Sequence, residues 1–428
     1  MEMSIYDSKE YRRSRTAYIV QCTGEYFTSV LVTDAFLTRL LSAIGISDSL
    51  VGIISSFITL AFVIQLLSIQ VVKAKISSKK LVMIFDVISV FCFMLMYLVP
   101  FVSASKEVKT ILVTALVFFA YIGKYLVINV LFKWGNSFVE PKNRGVFSAG
   151  KETISLFCGM FFTAIMGYII DKYESVNNLN GAFLFLSGSI FVLNICNFIS
   201  LSLIAKEKVE DKKAEEPYGK VILKIIKNKK FRNVIFLTIL YDTARYFTIG
   251  FLGVYKYKEL MMSALLVQII NIVAGLGRMS VSKAFGRFSD KYSFAKGFEL
   301  GLWLLAAGFV VNVFTTPSSW YLIIIFTVLQ TCSYAGTNAN SFNITYSYID
   351  SEYIVQAMAV KNSIGGLFGF GASILGGKIL DAVQSNGNTV FGIHVYGQQV
   401  LSLISFVIVC VAILFVRKVI EKQSIMVQ

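Results

Sequence analysis

Charge is what this sequence is short of. Only 15% of its 428 residues are Asp, Glu, Lys or Arg, while 56% are hydrophobic and the mean hydropathy is +0.69. A water-soluble domain carries roughly a quarter charged residues, because its surface has to be solvated, so an ordinary soluble protein is excluded. Histidine is nearly missing: His394 stands alone, which argues against a histidine metal site or a histidine proton relay. The four prolines, Pro100, Pro141, Pro217 and Pro317, fall at run ends or in connections, leaving the long apolar runs free to form continuous helices. The six cysteines, Cys22, Cys92, Cys158, Cys196, Cys332 and Cys410, lie inside apolar runs and outline no disulfide framework. No G-x-x-x-x-G-K-[ST] segment occurs, so nothing signals nucleotide hydrolysis. No nucleophile, base and oxyanion grouping stands out either, and no connection is long enough for a soluble catalytic domain. The expectation is a protein that is not an enzyme and needs no cofactor or metal.

What the sequence does have is long apolar runs. A crossing of the hydrocarbon core takes about 20 apolar residues as helix. Runs of that kind recur at about 17–37, 49–72, 81–101, 110–132, 146–170, 181–204, 233–254, 262–282, 297–314, 320–344, 357–380 and 398–416. The predicted fold class is an all-α integral membrane protein with twelve transmembrane helices. The N-terminal bases Lys9, Arg12, Arg13 and Arg15 lead into a run too long and too polar for a signal peptide, so this segment is expected to be retained.

Orientation follows from the forty Lys and Arg. With both termini inside, 28 fall in the tails and inner connections, and only Arg39, Lys106, Lys109, Lys172, Lys256 and Lys258 fall outside. That bias places both termini in the cytoplasm, with the plasma membrane as the expected location. The net charge of +15 then reflects inner loops facing anionic membrane lipids, and no nucleic-acid partner is implied. The longest connection divides the chain into an N-terminal six-helix bundle at 1–205, a cytoplasmic linker at 206–231 and a C-terminal six-helix bundle at 232–428. Within the linker, Gly219 to Lys227 alternate apolar and basic residues at helical spacing, which predicts a short helix on the inner membrane surface.

The halves are related in sequence. Ala149–Asp171 and Ala359–Asp381 share seven identities in 23 positions, among them Lys151/Lys361, Gly159/Gly369 and Asp171/Asp381. Spans 1 and 7 share Tyr26-Phe27-Thr28 and Tyr246-Phe247-Thr248 at a different offset. Such parallel repeats are a mark of two-bundle transporters. Spans 3, 6, 9 and 12 carry few ionisable groups, only Asp86 and Glu299. Charge in hydrocarbon is costly and normally faces a bundle interior, so every third span reads as lipid-facing support.

This pattern, the central basic loop and the segment Gly286-Arg287-Phe288-Ser289-Asp290-Lys291 between spans 8 and 9 resemble the major facilitator superfamily (MFS) of secondary transporters, whose G-x-L-x-D-R loop the segment is similar to. The resemblance implies two six-helix bundles related by a pseudo-two-fold axis. It also implies a cavity lined by spans 1, 4, 7 and 10 and opened alternately to either side. Gly286 would permit a tight turn beside Arg287, and Asp290 would latch the halves on the cytoplasmic side with Arg144 as partner. The first-half counterpart, Gln70-Val71-Val72-Lys73-Ala74-Lys75, keeps bases but no acid.

Candidate solute-binding residues are Glu25 and Lys124, each about 12 Å inside a span, with Asp242, Arg245, Asn338 and Asn340. Glu25 and Arg245 would pair as opposite charges on facing helices, or Arg245 would be neutralised by Asp242 one turn earlier. The amides of span 10 both donate and accept, which suits a polar solute. Lys151 and Lys361, repeat-equivalent bases near helix N-termini, are expected at a gate with an acidic neighbour or anionic ligand. The expected function is alternating-access transport of a small polar or anionic solute, with protons or another ion as the coupling partner through Glu25. The alternatives are an amphipathic drug or metabolite efflux pump and, from another class, a non-transporting receptor or lipid scramblase on the same scaffold.

Overall fold

The computed structural model describes residues 6, 8–72, 77–140, 143–206, 218–350, 353–390 and 392–425. In chain order the first helices are α1 (Lys9–Leu31), α2 (Asp34–Ala43), α3 (Asp48–Ser55), α4 (Phe57–Val72), α5 (Ser78–Met96), α6 (Lys106–Asn136), α7 (Arg144–Ser175) and α8 (Leu179–Leu203). They are followed by α9 (Tyr218–Lys227), α10 (Lys229–Tyr246), α11 (Ile249–Val254), α12 (Ala264–Lys291), α13 (Phe294–Val313), α14 (Leu322–Tyr346), α15 (Ile354–Ser385), α16 (Gly397–Phe415) and α17 (Glu421–Ile425). Among the described residues, ten helical segments are long and apolar enough to cross a membrane. The helices at the first and third expected spans, α1 and α5, are of spanning length but carry more charge, including Glu25 and Asp86. One small departure from an all-helical chain is a ribbon of two-residue strands, Thr389–Val390 against Ile393–His394.

Local chemistry fixes the helix starts. The side chains of Ser8, Ser105, Asn178, Asn228, Ser263 and Ser293 each accept a backbone N–H from the first turn of the helix they precede, satisfying donors that have no partner inside the helix. Three expected spans are interrupted, span 2 at Ser56 between α3 and α4. Span 1 ends at Leu31 and restarts at Asp34, whose φ is 44°. Span 7 breaks at Phe247-Thr248; Gln398 donates to the Thr248 carbonyl at 3.2 Å, and the Thr248 and Ser405 hydroxyls lie 2.7 Å apart. The backbone freed by that break is therefore satisfied inside the protein, as a span in lipid requires.

The chain divides into two compact units, residues 1–46 with 64–215, and residues 47–63 with 216–428. In the first, Tyr18, Val82, Val130, Trp134 and Phe138 form a buried cluster, and the Trp134 indole donates to the Ala205 carbonyl at 2.9 Å. Its outer face is apolar instead of polar: Ile111, Phe119, Phe157 and Phe161 are each at least 60% exposed, which suits acyl chains. In the second unit, Phe247, Phe251, Ala372, Leu380 and Leu401 pack together, and α3 lies on α11 through Gly52 and Gly250. A Cβ at Gly52 would come within 2.1 Å of the Phe251 ring, so the close approach depends on having no side chain there. The linker helix α9 forms as expected, with Val221 and Ile225 buried on the second unit and Leu223 exposed.

Candidate functional site

Each unit holds a buried group of charges. In the first, Lys124 of α6 reaches Glu25 of α1 at 3.0 Å, and Gln21, one turn before Glu25, donates to the same carboxylate at 3.1 Å. Both charged side chains are less than one-fifth exposed, so the pair is desolvated and stable only while both members remain. Lys151 of α7 stands beside this pair, 4.7 Å above the Tyr18 ring and 3.5 Å from its hydroxyl. The cation is held directly by an aromatic face and a neutral oxygen, with Glu25 as the acid within electrostatic reach.

In the second unit Arg245 is enclosed by aromatic rings. Its guanidinium carbon lies 4.9 Å from the ring centroid of Tyr241, 5.4 Å from Tyr246 and 4.8 Å from Tyr334. Asp242 makes a long ion pair with it at 3.5 Å, and the Arg245 Nε is buried with no hydrogen-bond partner. Asp242 packs against Gly365 of α15, where a Cβ would meet its carboxylate at 2.3 Å, and it feels the charge of Lys361 one turn away on that helix. Lys361 is 2% exposed and donates to Ser341 at 2.7 Å. One carboxylate thus serves two buried cations, and the cluster has a surplus positive charge.

Tyr334 also borders a cavity of about 200 Å³ between α12 and α14, lined by Arg278, Ser282, Asn338, Asn343 and, at its rim, Asp290. Asn338 is exposed on this cavity, as its candidate role requires. Asn340 also borders it; its amide donates to the Gly336 carbonyl one turn earlier on α14 at 2.6 Å and packs where Gly297 of α13 lacks a side chain.

Several expectations are corrected. Glu25 pairs with Lys124 instead of Arg245, while Arg245 pairs with Asp242 one turn earlier on its own helix, the second of its two expected partners. The two Tyr-Phe-Thr segments differ locally, the first lying within α1 and the second at the break after α10. Gly286 makes no turn: α12 runs on as helix to Lys291, with Gly286, Arg287 and Asp290 exposed on its last turns, since nothing before Tyr292 breaks the helix. Arg144 opens α7, but its side chain lies outside the described residues, as does the segment 73–76 of the first-half loop.

Sequence reasoning missed the three tyrosines around Arg245, which look like ordinary aromatic filling. It also read Asp86 as a minor feature of a supporting span. The tyrosine signal was present in the i−4 and i+1 placement of Tyr241 and Tyr246 about Arg245.

A family model described as MFS/sugar transport protein matches residues 20–350. No curated protein shows a significant sequence match. Solved structures with the same fold include a point mutant of the nucleoside transporter NupG, at TM-score 0.72 and 12% identity, covering 94% of this chain and 99% of that one. The POT family transporter PepTSo aligns at TM-score 0.68 and 10% identity over 96% of this chain and 98% of that one. A D-xylose–proton symporter aligns at TM-score 0.65 and 12% identity over 95% of this chain and 97% of that one.

Proposed function

The chain belongs to the MFS/sugar transport protein family of the major facilitator superfamily, and from that premise we propose that it moves a small solute bearing an anionic or strongly accepting group across the plasma membrane by alternating access, with both termini in the cytoplasm. The observation that carries this reading is the surplus cation of the second unit: among the described residues, Asp242 is the one acid that acts on both Arg245 and Lys361, and the Arg245 Nε has no acceptor. A buried donor without a partner costs about 1–3 kcal/mol, and a solute acceptor removes that cost on binding. Arginine enclosed by rings is also pre-organised for planar recognition of a carboxylate or phosphate.

The adjoining cavity of about 200 Å³ is smaller than the roughly 300–1,000 Å³ typical of drug-sized pockets, which favours a compact solute over a bulky amphipathic drug. In this reading Asn338 contributes hydrogen bonds to the solute, and Asp290 with Arg287 closes the cytoplasmic side against Arg144. Lys151 and Lys361 sit at the gate. Protons couple to transport through Glu25 when its bond to Lys124 opens.

The test is a thermal-stabilisation screen of purified protein against sugars, nucleosides, amino acids, organic acids and cationic dyes, followed by proteoliposome counterflow with the best stabiliser. Saturable counterflow that Arg245→Ala abolishes supports the reading. Stabilisation without flux identifies a receptor, and movement of labelled lipid identifies a scramblase.

A further inference from the structure

Asp86 is the buried acid that the transport reading leaves unused. It lies eight residues into α5, about 12 Å along the helix, and is 2% exposed. Its described hydrogen-bond partner is neutral: the Asn197 amide of α8 donates to its Oδ2. The nearest charges acting on it are Lys124 and Glu25. Gly123 locates that neighbourhood, because a Cβ there would strike the Ser89 hydroxyl at 2.4 Å and the Phe85 carbonyl at 3.3 Å, so α5 and α6 touch at this level. Lys124, the next residue, is already committed to Glu25 at 3.0 Å. Tyr121 lies one turn away on α6, and Lys151 is held over Tyr18.

The two units differ at this point in an informative way. In the second unit, the acid on the corresponding third span, Glu299 of α13, meets Arg417 just after α16 at 2.6 Å. The first unit packs α5 on α8 in the same order of spans, but offers Asp86 an amide where the second unit offers a guanidinium. The amides bring a further oddity. The carbonyl oxygens of both Asn194 and Asn197 are buried without any hydrogen-bond partner, although these residues are only 6% and 4% exposed. Asn194 uses its N–H on the Val87 carbonyl at 3.3 Å, which holds it against the residue after Asp86. Buried acceptors are almost always satisfied, and two orphans on adjacent turns beside an unpaired acid call for a positive guest.

We infer that Asp86, Asn194 and Asn197 form a site for one monovalent cation, Na⁺ or a proton, between α5 and α8. One carboxylate balances a single charge, and the two amide oxygens supply the neutral oxygen donors that a hard ion takes. As the site of a coupling ion in addition to Glu25 it rests on the transport reading; as a binding site it does not, and the test reads binding alone.

Purified protein is melted in NaCl and in choline chloride at equal ionic strength, and its infrared spectrum is recorded near neutral pH. If Na⁺ is the guest, it raises the melting temperature in a saturable way. Asp86→Asn abolishes the rise, and Asn194→Leu moves its midpoint at least tenfold to higher Na⁺. If a proton is the guest, a protonated-carboxyl C=O band is present in the parent protein and in the Glu25→Gln, Lys124→Met double variant, which removes both neighbouring charges, and is missing in Asp86→Asn. Monodisperse elution and an unchanged helical spectrum of Asn194→Leu keep the test valid if Asp86→Asn folds poorly, since Asn194→Leu must then lose Na⁺ affinity or keep the acid band. Neither a Na⁺ shift nor an acid band, or either signal vanishing in the Glu25→Gln, Lys124→Met double variant instead, overturns the inference. Transport that fails while these signals persist counts against the transport reading only.

Discussion

The ring of Tyr26 fills the space that a side chain at Gly159 would need: a Cβ there would lie 2.1 Å from the ring. Tyr246 stands in the same relation to Gly369, at 2.6 Å. Two separate sequence matches between the halves, at different offsets, are thereby joined in space within each unit, the tyrosine of the first span packing on the glycine of the fifth.

That contact makes a size prediction. Gly159→Val or Gly369→Val forces the ring aside in a packed interior, and overpacking of this kind costs about 1–3 kcal/mol. Melting followed by fluorescence-detected size exclusion should show a clear drop for both. Gly188→Ala and Gly371→Ala, with open space around the position, should melt like the parent.

The Glu25–Lys124 pair predicts non-additivity. Removing either partner leaves an uncompensated charge, with a loss of about 3–5 kcal/mol, whereas Glu25→Gln with Lys124→Met removes both charges. A double-mutant cycle on melting temperature should show the double variant more stable than either single one. Additive losses would mean that the pair is solvated.

Arg245 should not tolerate lysine. Lysine keeps the charge but has neither the planar fork nor the stacking face that three tyrosines enclose. Arg245→Lys is expected to weaken stabilisation by the screened solute at least tenfold, while Tyr334→Phe, which keeps the ring, stays within about threefold. Equal affinity in Arg245→Lys would reduce the residue to a counter-charge for Asp242.

Asp290→Asn tests the cytoplasmic latch. Loss of the charge should favour the inward-open form, raising the thiol reactivity of a cysteine placed on the cytoplasmic half of α14. An unchanged labelling rate would make Asp290 an ordinary residue of an exposed helix end.

The membrane class, the helical content and the family could all be read from the sequence, because charge scarcity, run length and repeat spacing are local properties. Glu25, Lys124, Asp242 and Arg245 were found for the same reason, since an ion within an apolar run is conspicuous. Only one of the two pairings was legible. Spacing along α10 allows Asp242 to meet Arg245, but only the tertiary arrangement shows that Lys124 closes on Glu25. Gly286 misled because glycine is tolerated within a helix whose neighbours carry it onward. Asp86 was undervalued because the one-dimensional pattern of span 3 gives no hint of two amides arriving from α8 with unused oxygens.

Tyr334 has two neighbours, the guanidinium of Arg245 and the cavity that continues toward Asn338. A guest settling in that hollow would touch the same aromatic plane that cradles the cation. Its arrival and the loosening of Arg245 from Asp242 would then be a single mechanical event, felt through the phenol as well as through the bond between cargo and guanidinium.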